Sequence, residues 1–185
     1  MSDALPPWPQ VPACYGWLSL DARGRWRLRD ETITHPGLIA FLNAHYDRDD
    51  DACWLVNNGP QRVYVRLDSA PWVLRLQPDG RFVTQTGRIA TIDGPLYLDA
   101  EGRVFVRTDA GPASLDDRDL AMLIAELRDA ANRPADDASL AALLDGQGAD
   151  LHWHGRALVF LGNETAAARL GFVADPCPPE PAPEA

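Results

Sequence analysis

The segment CWLVNNGPQRVYVRLDSAPWVLRL, residues 53–76, constrains the fold of this chain more than any other. Its centre, VYVRL, alternates between apolar residues and residues that tolerate solvent, which is the period-two pattern of a strand with one buried face. Turn-forming residues, NNGP before it and DSAP after it, separate this strand from a neighbour on each side. The segment therefore predicts three consecutive strands arranged as a meander.

The rest of the chain alternates predicted hairpins with predicted helices. Thr34 is a candidate N-cap for a helix whose apolar residues recur at helical spacing as far as His45. Ser114 and Asp117 resemble a capping box at the start of a second helix. The predicted elements are a hairpin over 17–29, helices over 34–45, 115–131 and 138–144, short strands between 81 and 107, and a closing hairpin over 150–161.

Two parts of the sequence repeat the same order of predicted elements. Residues 24–67 and 102–161 both read as a strand, a helix and then a hairpin. The predicted fold class is therefore α+β, with two repeated strand-helix-hairpin units built on antiparallel sheets and a cleft between them. Chance recurrence of a common element order is the alternative.

These patterns divide the chain into five segments. Proline-rich ends flank the two predicted units and favour extended or disordered chain. The segments are an extended N-terminal arm at 1–13, an α+β unit at 14–76, connecting strands at 77–98, a second α+β unit at 99–173 and a disordered tail at 174–185.

Composition excludes several classes of function. All 17 basic residues are arginine, which excludes mechanisms that need a lysine amine. The net charge of −10 argues against a nucleic-acid partner, and no apolar run is long enough to predict a membrane span. The cysteines lack metal-binding or redox spacing, and the first residues lack the pattern of a secretory signal. We therefore expect a cytoplasmic protein.

Few residues suggest metal chemistry or catalysis. His152 and His154 form an HxH pair on a predicted strand, which predicts imidazoles on one face and a metal site if a third ligand comes from elsewhere. Solvent-facing histidines are the alternative. The aspartates at 47–51 lack the spacing of a calcium loop, and no serine stands in a GxSxG context. The sequence contains no specific cofactor signature, so no cofactor is expected.

Two predicted strands share the form R-x-aromatic-x-R. On a strand, this spacing places two guanidinium groups beside an aromatic ring, which suits a small anionic ligand. Pairing of the arginines with aspartates on a polar sheet face is the alternative. With the turn beside them, these strands give the candidate ligand-binding residues Arg62, Tyr64, Arg66, Asp68, Trp72, Arg103, Phe105 and Arg107.

The first half of the chain resembles the bacterial DUF1285 family. The resemblance lies in a tryptophan strand, the ITHP segment that opens a helix, a tyrosine-containing strand and the turn LDSAPW. His35 replaces the arginine that is commoner in that family, and Leu67 replaces an acidic residue. The resemblance implies a two-part α+β fold with a cleft and a regulatory or ligand-sensing role.

Taken together, these observations favour a non-enzymatic regulatory or binding module for a small anionic ligand or a partner protein. The alternatives are a metal-dependent enzyme that uses His152 and His154, and a subunit that docks on another protein through its tryptophan-containing N-terminal arm. The sequence predicts no nucleic-acid or membrane partner.

Overall fold

Strand pairing divides the chain between two β-sheets. The computed structural model describes residues 11–147 and 150–179. Its strands are β1 (Ala13–Leu20), β2 (Trp26–Leu28), β3 (Glu31–Thr32), β4 (Tyr46–Arg48), β5 (Trp54–Asn58), β6 (Gln61–Leu67), β7 (Trp72–Leu76), β8 (Phe82–Thr84), β9 (Ile89–Ala90), β10 (Ile92–Leu98), β11 (Val104–Thr108), β12 (Gly111–Leu115), β13 (Arg128–Asp129), β14 (Leu151–Trp153) and β15 (Arg156–Phe160). Its helices are α1 (Pro36–His45), α2 (Leu120–Glu126), α3 (Asp137–Leu144) and α4 (Ala166–Leu170), with a 3₁₀ turn at Asp117–Asp119 before α2.

The first sheet has six strands in the order β3-β2-β1-β6-β5-β4, and the second has nine in the order β13-β14-β15-β10-β11-β12-β7-β8-β9. Most pairs are antiparallel, but β1–β6, β10–β15 and β7–β12 are parallel. The predicted α+β class is therefore confirmed as a mixed, mostly sheet fold. The sheets are rich in antiparallel pairs but not antiparallel throughout: the connections between the β1–β6 and β10–β15 parallel pairs contain helices, whereas strands β8 to β11 connect β7 to β12.

The first sheet and part of the second have the same connectivity. Read in chain order, β1, β2, β3, β4, β5 and β6 occupy the same relative places as β10, β11, β12, β13, β14 and β15, with one parallel pair in each set. The first hairpin of each set also matches in sequence, GWLSLDARGR at 16–25 against GPLYLDAEGR at 94–103. Strands β7, β8 and β9 extend the second sheet beyond β12.

The predicted meander is wrong at its third strand. Strands β5 and β6 form the expected hairpin, but β7 pairs with β8 and β12 in the other sheet. The turn at 68–71 therefore carries the chain from one sheet to the other. Alternation alone predicts strands but does not reveal which strand each one pairs with.

One type of hairpin turn recurs throughout the fold. At its first position an aspartate Oδ1 atom accepts the amide hydrogens two and four residues later, and three of these turns add an arginine Nε–H bond to Oδ2. The aspartates are Asp21, Asp49, Asp99 and Asp129. Residues with positive φ, such as Gly24 and Gly102, complete the turn as a bulge. The arginines that follow three of these turns, Arg25, Arg103 and Arg133, are thus bonded to the turn aspartates, and for Arg103 this is the pairing that the alternative interpretation expected.

Two helix boundaries differ from the predictions. His35, and not Thr34, caps α1, because its Nδ1 atom accepts the Leu38 amide hydrogen at 3.2 Å. The predicted helix over 115–131 is reduced to the 3₁₀ turn and α2. Leu127 adopts an extended conformation, and the chain then enters β13. The apolar residues of this segment include Leu123 and Leu127, which are both buried. The helix nevertheless ends at Glu126, before Leu127.

The buried side chains of both sheets form one continuous core. At its centre, Trp26, Tyr46 and Trp54 from the first sheet meet Trp72 from the second, with ring centroids of neighbouring pairs 5.0–5.3 Å apart. Such edge-on and tilted contacts are favourable geometries for aromatic rings. This aromatic cluster joins the two sheets.

The C-terminal segment also joins them. After α4, the Val173 amide donates to the Ala52 carbonyl oxygen (3.1 Å), and the Leu67 amide donates to the Ala174 carbonyl oxygen (2.7 Å). Pro176 is buried. The start of the predicted disordered tail is therefore packed against the first sheet, while residues 180–185 lie outside the described part.

At the N-terminus, the Arg62 amide donates to the Pro12 carbonyl oxygen at 2.9 Å. The rest of the predicted arm, residues 1–10 with Trp8, lies outside the described part. Among the described helices, none is long and apolar enough to cross a membrane.

Candidate functional site

A bulge in β1 opens a cavity on the first sheet. Cys14 pairs with Val63 and Leu18 with Val65, so β1 has two more residues than β6 between these pairs. Gly16, with φ of 71°, permits the distortion. Bulges of this kind redirect side chains next to functional sites, and here the bulge carries Trp17.

The turn between β2 and β3 supplies the facing wall. Arg29 and Asp30 both have positive φ, 47° and 68°, in a two-residue turn that favours asparagine and glycine. The Arg29 amide donates to the Trp17 carbonyl oxygen (2.8 Å), and the Arg29 guanidinium carbon lies 3.5 Å from the Trp17 ring centroid. The fold thus holds Arg29 against Trp17 despite an unfavourable backbone conformation.

The cavity between these elements has a volume of about 170 Å³. Its lining residues are Gly16, Trp17, Leu18, Ser19, Arg29, Asp30, Arg66 and Asp175. At about 30 Å³ for each water molecule, this space fits a small ligand or a single charged group of a larger one.

The two arginines of the cavity differ in their partners. The Arg66 Nη2 atom lies 2.9 Å from Asp30 Oδ1, so the Arg66 charge is compensated within the site. Within residues 11–147 and 150–179, no carboxylate lies within ion-pair distance of Arg29. Arg29 therefore retains guanidinium donors for an anion.

The first arginine–aromatic strand is only partly assembled as predicted. The Tyr64 ring stacks on Tyr15 at 4.4 Å, and its hydroxyl donates to Asp49 Oδ2 at 3.2 Å. Burial, followed by the hydrogen bond with Tyr64, raises the pKa of Tyr15 to about 12. The Tyr64 side chain is buried, and the stacked Tyr15 ring takes the place that the ring of a ligand would need. Arg62 is exposed at the far end of β6, beside Asn57.

The side chain and the backbone of Asp68 together contact three arginines. Its Oδ2 atom accepts from Arg27 Nη1 at 3.0 Å, its Oδ1 atom lies 3.9 Å from Arg66 Nε, and its carbonyl oxygen accepts from Arg103 Nη1 at 3.4 Å. The structure therefore brings together Arg66, Asp68 and Arg103 from the predicted set. In this cluster the Asp68 carboxylate lies between the guanidinium groups of Arg27 and Arg66.

The remaining predicted ligand-binding residues lie in the second sheet. Trp72 is part of the aromatic cluster, and its Nε1–H donates to the Ala110 carbonyl oxygen at 2.8 Å. Phe105 is 1% exposed. The Arg107 Nη2 atom donates to the Leu170 carbonyl oxygen of α4 at 3.2 Å. These side chains pack against the chain itself.

The two histidines line a separate groove of about 660 Å³, together with Glu126, Asp129 and Asp150. His152 Nε2 lies 3.2 Å from Asp150 Oδ1, and His154 Nε2 lies 2.9 Å from Glu126 Oε2. The His154 hydrogen bond is the largest of the effects that lower the pKa of Glu126. His154 lies in the turn after β14, with φ of 47°, so the two imidazoles do not share a regular strand face. Among the described residues, no group of three or more His, Cys, Asp or Glu side chains is arranged to hold a metal ion.

Trp17 and Arg29 were not among the predicted site residues. Gly16 inside an alternating pattern is the signal of a bulge, and the polar pair Arg29-Asp30 between two strands is the signal of a turn. The predicted hairpin over 17–29 places Trp17 opposite Arg29, but neither signal reveals the cavity, because Arg66 and Asp175 join its lining only when β6 and the C-terminal segment pack beside β1.

A family model described as "Protein of unknown function (DUF2946)" matches residues 1–177. The chain belongs to this family. A solved structure of a DUF1285 family protein from Silicibacter pomeroyi DSS-3 is similar to it, with a TM-score of 0.52 and 18% identity over 80% of both chains. A second DUF1285 protein, from Shewanella baltica OS155, gives a TM-score of 0.41 and 18% identity over 56% of this chain and 86% of that one.

No curated protein matches the chain. The DUF1285 resemblance predicted from the sequence is confirmed at the level of the fold by the Silicibacter structure. The DUF2946 family is described as one of unknown function, so the geometry of the cavity is the basis for a functional proposal.

Proposed function

We propose that this DUF2946 protein is a non-enzymatic binding module that holds a small anionic ligand in the cavity between Trp17, Arg29 and Arg66. The observation that carries the proposal is the state of Arg29, which is held over Trp17 in a strained turn and has no carboxylate partner among the described residues. Conformational strain that the surrounding structure maintains is typical of ligand sites.

A comparison of the two sheets supports this choice of site. We infer that the matching connectivity and the GWLSLDARGR and GPLYLDAEGR hairpins reflect a duplicated unit. In the second unit Arg107 stands four residues after Arg103, as Arg29 does after Arg25. Arg107 is bonded to α4, and Arg169 of α4 lies over Tyr97. The second unit thus fills this region with its own helix, whereas the first unit keeps a cavity.

The ligand expected from this chemistry is a metabolite with a carboxylate or phosphate group. Arg29 supplies a planar donor set for such a group, and the half-buried Trp17 supplies an apolar part of the cavity lining. Asp30 keeps Arg66 in position by the 2.9 Å ion pair. The net charge of −10 disfavours nucleic acid as the source of the anion, and we place the protein in the cytoplasm.

Thermal unfolding of the full chain against separate anions tests the proposal. The probes are inorganic phosphate, acetate, succinate and nucleoside monophosphates, with Zn²⁺ as the comparison for the histidine groove. A ligand at 100 times its Kd stabilises by about 2.7 kcal/mol, which raises Tm by roughly 5–10 °C in a chain of this size.

A saturable shift with one anion class supports the cavity and identifies the chemical class of its ligand. A shift with Zn²⁺ alone would reject anion binding and favour the metal-dependent alternative. Equal, non-saturating shifts with every salt would reflect general salt effects and would also reject the proposal.

A further inference from the structure

The C-terminal segment carries a cysteine to the first sheet. Hydrogen bonds from Val173 to Ala52 and from Leu67 to Ala174 fix this segment across the end of the β5–β6 pair. Cys53 directly follows Ala52, and Cys177 lies three residues beyond Ala174. The fold therefore brings the segments that carry two cysteines distant in the sequence to the same end of the β5–β6 pair.

Further contacts hold the segment in this place. Asp175 lines the cavity together with Arg66, and Pro176, directly before Cys177, is buried. Cys177 itself is exposed, Cys53 is half-buried, and Cys14 is buried on β1. An oxidant in solution therefore reaches Cys177 first, because the half-buried Cys53 is less accessible.

The thiols are close enough to interact electrostatically. Burial is the largest cause of the raised pKa of Cys53, and negative charge at Asp49, Asp51 and Cys177 adds to it. The raised pKa lowers the thiolate fraction of Cys53, which makes Cys53 a poor first target for a peroxide.

We propose that Cys53 and Cys177 are a redox-sensitive pair that a peroxide converts into an intramolecular disulfide. The Cys177 thiolate attacks a peroxide oxygen, the O–O bond breaks, and Cys177 becomes a sulfenic acid with release of hydroxide, which is protonated to water. The Cys53 sulfur then attacks the sulfenic sulfur, the S–S bond forms, and the departing hydroxide takes the thiol proton as a second water. Two thiols are oxidised as one hydrogen peroxide is reduced to two waters.

The bridge would fasten the C-terminal segment to the first sheet. Because it closes a loop of most of the chain, it removes conformational freedom from the unfolded state and raises Tm. It also fixes Asp175 at the cavity wall. The disulfide itself does not require the proposed ligand, so it can be tested with the unliganded protein.

The test is peptide mapping of the full-length protein after treatment with hydrogen peroxide, without reduction. Trypsin cleaves this chain only after arginine, because it contains no lysine, and places Cys53 in peptide 49–62 and Cys177 in peptide 170–185. The expected product is a monomer about 2 Da lighter whose two peptides are linked, with a Tm that rises and returns after reduction.

Three variants decide the assignment. Cys177→Ser and Cys53→Ser should each abolish the link, and Cys14→Ala should retain it. Because Cys177 is exposed, its variant is expected to fold normally and keeps the test valid if Cys53→Ser does not. A link that involves Cys14, a link only between two molecules, or oxidation to sulfinic acid without any link would overturn the proposal.

Discussion

The guanidinium carbon of Arg29 lies 3.5 Å from the ring centroid of Trp17. The two residues belong to different irregularities, the bulge in β1 and the strained turn after β2, and the fold brings them face to face. A stacked cation contributes about 0.5–1 kcal/mol at an exposed site, whereas a residue in a sparsely populated conformation costs about 1–3 kcal/mol. The contact alone therefore does not offset the strain, which is consistent with selection for binding.

Docking of the first hairpin on the second sheet depends on Gly24. Its φ is 75°, and an added Cβ would lie 2.5 Å from the Cβ of Gln85. Gly80 has a similar φ of 80° but open space around it. We expect Gly80→Ala to destabilise by roughly 1–2 kcal/mol and Gly24→Ala by about 1–3 kcal/mol more, as measured by urea unfolding. Equal losses would show that the hairpin does not pack on Gln85 in solution.

Asp119 and Asp117 both pair with an arginine, but Asp119 is buried and Asp117 is exposed. Asp119 is 4% exposed and accepts from Arg75 Nε (2.8 Å) and from the Leu76 amide (2.9 Å). Asp117 pairs with Arg23 at the surface. Asp119→Ala leaves the buried Leu76 amide and the half-buried Arg75 guanidinium without their partner and should cost about 2–3 kcal/mol, whereas Asp117→Ala, at an exposed position, should cost much less. Chemical denaturation of both variants checks this order, and similar losses would contradict it.

The Arg23–Asp117 contact predicts a pH effect. The hydrogen bonds from Arg23 are the largest cause that lowers the pKa of Asp117 to about 2. Because the folded-state pKa is below the ordinary 3.8, this carboxylate stabilises the fold above about pH 4, and its contribution is lost as the pH falls through about 2. Carboxyl NMR titration should give a midpoint near 2 in the wild type and one closer to 3.8 in Arg23→Ala. An unchanged midpoint would show that the pair does not form.

Local pattern predicted many elements but not their partners. The alternation in VYVRL predicted β6, and the turn residues at 57–60 predicted its hairpin with β5. Strand β7 was predicted equally well, yet its pairing in the second sheet follows from contacts between distant residues. The helix over 115–131 was too long because Leu123 and Leu127 are buried by packing in a segment that is only partly helical.

The sequence predicted the site only in part, because contacts between distant residues form it. Of the R-x-aromatic-x-R residues, Arg103 lies over the Phe105 ring at 5.6 Å, and Arg66 lines the cavity. The spacing could not show that Tyr15 covers Tyr64 or that α4 binds Arg107. The predicted hairpin over 17–29 does place Trp17 opposite Arg29, but the cavity forms only when β6 and the C-terminal segment contribute Arg66 and Asp175.

Arg29 and Arg62 provide matched variants for a test of anion binding in the cavity. Both are exposed arginines of the first sheet, but Arg62 does not line the cavity. Loss of a charge-assisted hydrogen bond costs about 1.5–3 kcal/mol, so Arg29→Ala should weaken anion binding by roughly tenfold or more. Arg62→Ala should leave binding unchanged. The comparison separates a specific contact from a general loss of positive charge.

The most direct measurement is an amide NMR titration of the wild type, Arg29→Ala and Arg62→Ala with inorganic phosphate. The proposed function predicts saturable shifts at Gly16, Trp17 and Asp30 in the wild type and in Arg62→Ala, and their loss in Arg29→Ala. Absence of saturable shifts in the wild type, or shifts that persist unchanged in Arg29→Ala, would contradict it.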